Sequence, residues 1–150
     1  MAGVTSFMKI NQRDLKQLNR KLDYLKNYDK KEFSKELAYT ASQIARTAKT
    51  NVVRDTGKLG QSINYEAKNK VVSVFAKASY APYVEFGTGG LVDLTDMQQL
   101  GIPDSYAAQF KGSGKKRVNL PARPFFFNAV RIEFRKMLDR INNKINKGLK

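Results

Sequence analysis

Residues 62–78 run SINYEAKNKVVSVFAKA, and their reading decides the fold. Apolar side chains alternate with period two through Ile63, Tyr65 and Ala67, and again through Val72, Val74 and Ala76. That is the pattern of two strands, expected over Ser62–Ala67 and Val71–Ala78, each with one face covered. The β-branched Val71, Val72 and Val74 favour it. Only Lys68, Asn69 and Lys70 separate the runs. Asn tolerates turn conformations, so an antiparallel hairpin is the economical connection.

Upstream of the hairpin the period becomes helical. Phe33, Leu37, Ala41, Ile44, Ala48 and Val52 share one stripe, and Ala38, Ala41, Ala45 and Ala48 permit close approach to a sheet or another helix. This helix should run to about Val53 and break at Asp55-Thr56-Gly57, where Gly supplies a backbone conformation that other residues resist. Earlier still, Ile10, Leu15, Leu18, Leu22 and Leu25 fall mostly three or four apart and predict an amphipathic first helix. Asp29 with Glu32 three residues on resembles a capping box, so the first helix should stop near Asn27 and Tyr28 and a new one begin.

Downstream, the prolines of Pro121-Ala122-Arg123-Pro124 hold the chain extended until Pro124 can open a last helix. Its stripe is Phe127, Val130, Phe134, Leu138, Ile141 and Ile145, and Gly148 is its stop. Between Gly87 and Arg117 regularity fails, with Gly89-Gly90, Gly101, Pro103 and Lys111-Gly112-Ser113-Gly114-Lys115. The expected fold is therefore α+β in one domain over residues 1–150. An antiparallel sheet built on the hairpin packs against a long Ala-rich helix and a C-terminal helix, with an N-terminal amphipathic helix and a long mobile loop at about 87–119. A chain of 150 residues buries roughly two-thirds of its unfolded surface, enough for one real core.

Composition bounds the chemistry. The chain has no His, Cys or Trp, which leaves zinc, haem and iron–sulfur sites nearly without ligands and excludes a Ser-His-Asp triad or a Cys-His pair. No cofactor or metal is expected. No run approaches the roughly 20 apolar residues that span a bilayer, and no secretory signal is read at the start, so no membrane partner is expected. The net charge of +15, from 28 basic and 13 acidic side chains, calls for an anionic partner, nucleic acid first. Charge is also segregated: residues 87–110 hold Asp93, Asp96 and Asp104 with no Lys or Arg, and Lys111, Lys115, Lys116 and Arg117 follow at once. An acidic arm on a basic body is suited to reaching a neighbour, and these seven residues are the candidate partner interface.

Candidate chemical motifs are weak. Gly87-Thr88-Gly89-Gly90 lacks the Lys and the strand-to-helix setting of a phosphate loop. Asp93, Asp96 and Asp104 have the oxygen ligands of a cation site but no EF-hand spacing. Glu85 is an acid among aromatic residues, which suggests a perturbed general acid, yet it has no evident catalytic partner. Two structural roles compete with that one. Glu85 satisfies backbone donors or pairs with Arg123 at a corner, and the ion pair is the expectation carried forward.

Three blocks resemble the tail-completion or head-tail connector (neck) proteins of long-tailed bacteriophages. They are Asp55-Thr56-Gly57-Lys58-Leu59 with Ser62-Ile63 after an Ala-rich helix, then Tyr80-Ala81-Pro82-Tyr83-Val84-Glu85-Phe86-Gly87-Thr88, and then Pro121-Ala122-Arg123-Pro124-Phe125. They stand in the family's order over roughly Phe33 to Phe134, and their joint occurrence is more specific than any one alone. The first helix and the stretch from Gly90 to Asn119 lie outside the pattern.

The resemblance implies a structural virion subunit at the head-tail junction, assembled in the host cytoplasm and not an enzyme. It implies a ring, expected to be a hexamer, that completes the tail and joins it to the head while the genome passes through the lumen. Its partners would be copies of itself, the tail-tube protein, head-completion or connector proteins and, without sequence preference, DNA. A hexamer would carry about +90, so its contact surfaces must be poor in charge or complementary. The alternatives are a non-sequence-specific basic DNA-binding protein and a metal-dependent hydrolase built on Glu85 and the arm aspartates.

Overall fold

The computed structural model describes residues 12–52, 57–68, 70–112 and 118–149. The hairpin forms as the alternation requires: β1 (Ile63–Lys68) runs antiparallel to β2 (Val71–Ala76), with Ile63 opposite Ala76, Tyr65 opposite Val74 and Ala67 opposite Val72. These pairs share one face, yet only the Ile63 end is deeply buried, and Tyr65 is 46 % exposed. The tip of the hairpin stands clear of the helices. Asn69, at the turn, lies outside the described residues.

The N–H of Lys77 donates to the carbonyl of Ser62, which fixes the parity of the ladder. In an antiparallel pair, alternate residues turn their backbone groups outward. On β2 these are Val72, Val74 and Ala76, and no third described strand meets them.

The expected stop near Asn27 does not occur. α1 (Gln12–Asn27) passes into α2 (Phe33–Asn51) through a single π turn, Tyr28–Glu32, closed by the N–H of Phe33 on the carbonyl of Tyr28, five residues back. No Gly or Pro interrupts residues 27–33, so the amides stay satisfied along the helix and no capping residue is required.

The last helix, α7 (Phe126–Gly148), lies antiparallel along α2: Glu36 meets Arg140, Thr47 meets Glu133, and Asn51 meets the carbonyl of Phe125. The helix opens at Phe126, two residues later than Pro124. Between this pair and the hairpin sits the main core, where Ala48, Ile63, Phe125 and Ala129 are essentially inaccessible and Ile44, Ala45, Val52 and Ala81 are buried around them. Alanines at 45 and 48 let the sheet approach the helix, as their spacing suggested. Asp55 and Thr56 lie outside the described residues. Beyond them Gly57, at φ +70°, precedes α3 (Lys58–Ser62), which carries Leu59 into the core.

The expected loop at 87–119 is largely built. It holds a 3-10 turn (Gly89–Leu91), α5 (Leu94–Gln99) and α6 (Asp104–Lys111). Met97, Ala107 and Phe110 are buried with Phe86 of the preceding helix, and Phe127 of α7 packs against them. The stretch has a small core of its own, which is why short helices form where Gly and Pro predicted none.

Candidate functional site

The residues that project this arm form a corner. α4 (Ala81–Phe86) begins with Pro82 in its first turn, where no N–H is needed, and ends at Gly87. Gly87 has φ +78°, and a Cβ there would lie 2.7 Å from the backbone of Leu91, Leu120 and Ala122. Only glycine lets these three segments pass. Thr88 donates its N–H to the carbonyl of Leu120 at 2.9 Å, and its hydroxyl accepts the N–H of Leu120 at 3.0 Å while donating to the carbonyl of Val118. The N–H of Arg123 donates to the carbonyl of Val84 at 2.8 Å. The Tyr80–Thr88 block is thus tied to residues 118–123, with the Arg123–Val84 bond joining the two motif blocks directly.

Glu85 locks the corner. It is 3 % exposed, and its Oε2 accepts the N–H groups of Phe125 and Phe126 at 2.8 and 2.9 Å while Oε1 accepts that of Phe127 at 3.0 Å. Three donors at the positive end of α7 hold one carboxylate. The expected ion pair with Arg123 is not made: Arg123 points to solvent and contributes its backbone alone. Of the remaining motif residues, Phe125 and Phe86 enter the two cores, Tyr83 lays its ring on Phe110 at 5.2 Å, and Tyr80, Pro121 and Pro124 are exposed.

The arm aspartates do not converge. Asp93 caps α5 by accepting the N–H of Asp96 at 2.9 Å, Asp96 pairs with Arg131 of α7, and Asp104 is exposed in the first turn of α6. The arm is therefore clasped to its own body by one of the charges expected to reach a neighbour, while Asp93 and Asp104 stay at the surface. Lys111 closes α6 and is exposed. Lys115, Lys116 and Arg117 lie outside the described residues.

An apolar cleft of about 320 Å³ opens beside the corner, lined by Val74, Phe75 and Ala76 and by Pro82, Phe86, Tyr106 and Phe126 among others. Consecutive strand residues point to opposite faces, so a cleft that touches three in a row runs along the strand's edge, the one that lacks a partner.

Sequence reasoning missed a polar seam between α2 and α7. Glu36, 4 % exposed, takes Arg140 and Lys144, with Thr40 also on Arg140, and Glu133 takes Thr47 and Lys136. Burial pushes both carboxyls up, but the hydrogen bonds and charges of Arg140 and Lys144 on Glu36, and of Lys136 with Thr47 on Glu133, outweigh it and hold both below the ordinary glutamate value. The signal was present: Glu36 and Thr40, like Arg140 and Lys144, are four apart and share a face.

Two apolar stripes stay open. No residue of α1 is buried; Leu15, Leu18, Leu22 and Leu25 are between 37 and 52 % exposed. The helix touches α7 near its C-terminal end, where the Tyr24 hydroxyl donates to the carbonyl of Lys144 and a side chain at Gly148 would collide with the Tyr24 ring. On α7, Phe134 and Leu138 are about half exposed and Ile141 and Ile145 partly so. Among the described residues no helix is long and apolar enough to cross a membrane.

Residues 16–87 match the HK97-gp10-like family model, described as "Bacteriophage HK97-gp10, putative tail-component". The match runs from α1 through the hairpin to Gly87 and takes in the first two motif blocks short of Thr88; the Pro121–Phe125 block lies beyond it. It is a match to a family of structural components of phage tails. No curated protein and no solved structure matches the chain.

Proposed function

We propose that this chain is a ring-forming subunit that completes a phage tail and joins it to the head, the genome passing through the lumen. The tail-component match supports the setting. The observation that carries the assembly role is the split of charge and apolar surface between the arm and the rest of the molecule. The corner locked by Glu85 and Gly87 holds out an arm with Asp93, Asp104, Leu91 and Tyr106 at its surface, while the rest of the molecule is strongly basic.

In this reading the arm's exposed acids meet basic side chains of the next copy, a head-to-tail contact that closes into a ring. Lys111, followed in sequence by Lys115, Lys116 and Arg117, is the side chain offered to DNA or to acidic head and tail proteins. Glu85 is spent on three amides, so its role is positional and no turnover passes through it.

The test is the particle mass and electron microscopy of the purified protein, alone and with its tail-tube protein. Rings of uniform stoichiometry that dock on tubes, and that Asp104→Lys weakens, are expected. A solitary monomer that binds free duplex DNA strongly and loses it as salt rises would replace this reading with the DNA-binding one.

A further inference from the structure

We infer that the leucine stripe of α1 in one copy seats on the exposed stripe of α7 in the next. The inference rests on the ring reading above and names a surface for it.

Leu15, Leu18, Leu22 and Leu25 are spaced three, four and three apart; Phe134, Leu138, Ile141 and Ile145 are spaced four, three and four apart. Both are the period of helices that interdigitate side by side. They run roughly 15 and 16 Å along their axes, so they match in length as well as in period. The four leucines of α1 are between 37 and 52 % exposed, so covering them removes apolar surface from water. Among the described residues none covers this face fully, since no residue of α1 is buried.

Within one chain the two stripes approach only at their near ends, where Leu25 and Ile145 each lie one residue from the contact between Tyr24 and Lys144. Tyr24 sits beside Lys144. From that contact Phe134 lies ten residues back along α7, and Leu18 lies six residues along α1 in the other direction. Helical rise then separates the two by roughly 24 Å. Pairing of the two faces along their full length is therefore possible only between copies. Repeated in one direction the contact is head-to-tail and propagates around a ring, whereas a reciprocal exchange would stop at a two-fold dimer, in which the double variant below gives no ladder.

Lys21 and Lys26, with Asp14, flank one stripe and Arg135 flanks the other. Positive charge predominates on both rims, so burial of apolar surface must drive the contact and salt must strengthen it.

The chain has no cysteine, which makes the test direct. Leu18→Cys and Leu138→Cys are made separately in the full chain. Both sites are surface positions, so unchanged melting confirms folding. Under mild oxidation the mixture of the two variants should give a cross-linked dimer that neither gives alone, and the double variant a ladder of higher species. The yield should rise between about 0.1 and 0.5 M salt.

Cross-linking of Leu18→Cys with itself would assign α1 to a two-fold contact and overturn the inference. So would a yield that falls with salt, the mark of an ionic contact. Wild-type rings without any cross-link would overturn it and leave the ring reading standing; a wild-type monomer at every concentration, also without cross-link, would remove both.

Discussion

The carboxylate of Glu85 accepts the backbone N–H of Phe125 at 2.8 Å across forty residues of chain, and so ties α4 to the first turn of α7. Removing that carboxylate leaves three buried or half-buried amides without their acceptor. Glu85→Ala is expected to cost about 3 kcal/mol, and Glu85→Gln, which keeps one acceptor oxygen, about half as much. Chemical denaturation of the three proteins measures this. Equal stability would dismiss the cap.

Gly87→Ala should be at least as damaging. The left-handed φ and the approach of three backbone segments to 2.7 Å act together, so a loss on the order of 3 kcal/mol is expected. By contrast Gly101→Ala, with no atom near its absent Cβ, should lose only the conformational part, about 1 kcal/mol. A thermal midpoint for Gly87→Ala that matches Gly101→Ala would show that the crossing is looser than described.

Arg131→Ala releases the clasp on Asp96. The pair is partly exposed, so global stability should change by less than about 1 kcal/mol. The local effect should be larger: amides of α5 and α6 are expected to exchange hydrogen faster while those of α2 and α7 keep their protection. Uniform exchange across the molecule would place the arm within the main cooperative unit.

The polar seam predicts acid sensitivity. Glu36 and Glu133 have folded pKa values below 4.5, the ordinary value, so each ionised carboxylate stabilises the fold above that pH. The contribution is lost as pH falls from about 4.5 through the lowered folded values. Glu36→Gln and Glu133→Gln should flatten the loss of stability in that window and leave its pH dependence above about pH 5 unchanged. Melting curves taken from pH 3 to 7 decide it.

Much of this fold was legible because its strongest signals are local. The alternation around Val72 and Val74 gave the hairpin, and the alanines at 41, 45 and 48 gave a helix that a sheet can approach. What escaped depended on distant partners. Asp29 and Glu32 have the spacing of a helix start, but the cap competes with a continuous ladder of amides, and the ladder is kept. Met97 and Phe110 have no periodic signature in a segment dotted with Gly and Pro; their value appears only beside Phe86 and Phe127. Glu85 reads as a corner residue, but charge pattern points to the side chain of Arg123, whereas the donors are main-chain groups of the residues just beyond it. Asp96 was assigned to a neighbour and is held by Arg131 of its own chain.

The π turn at Tyr28–Glu32 sets the phase of the molecule's longest rod. Leu25 and Phe33 are eight residues apart, one more than two heptad-spaced turns would use, and the widened turn absorbs the surplus. Excising the surplus residue would return the turn to regular α geometry, whereas excising one from the regular helix beside it would rotate everything before it by about 100° relative to the body. In the second case the leucines would face a different compass bearing, so the direction in which α1 presents them depends on the residue count of this rod, and the irregularity at Tyr28–Glu32 takes up the odd residue.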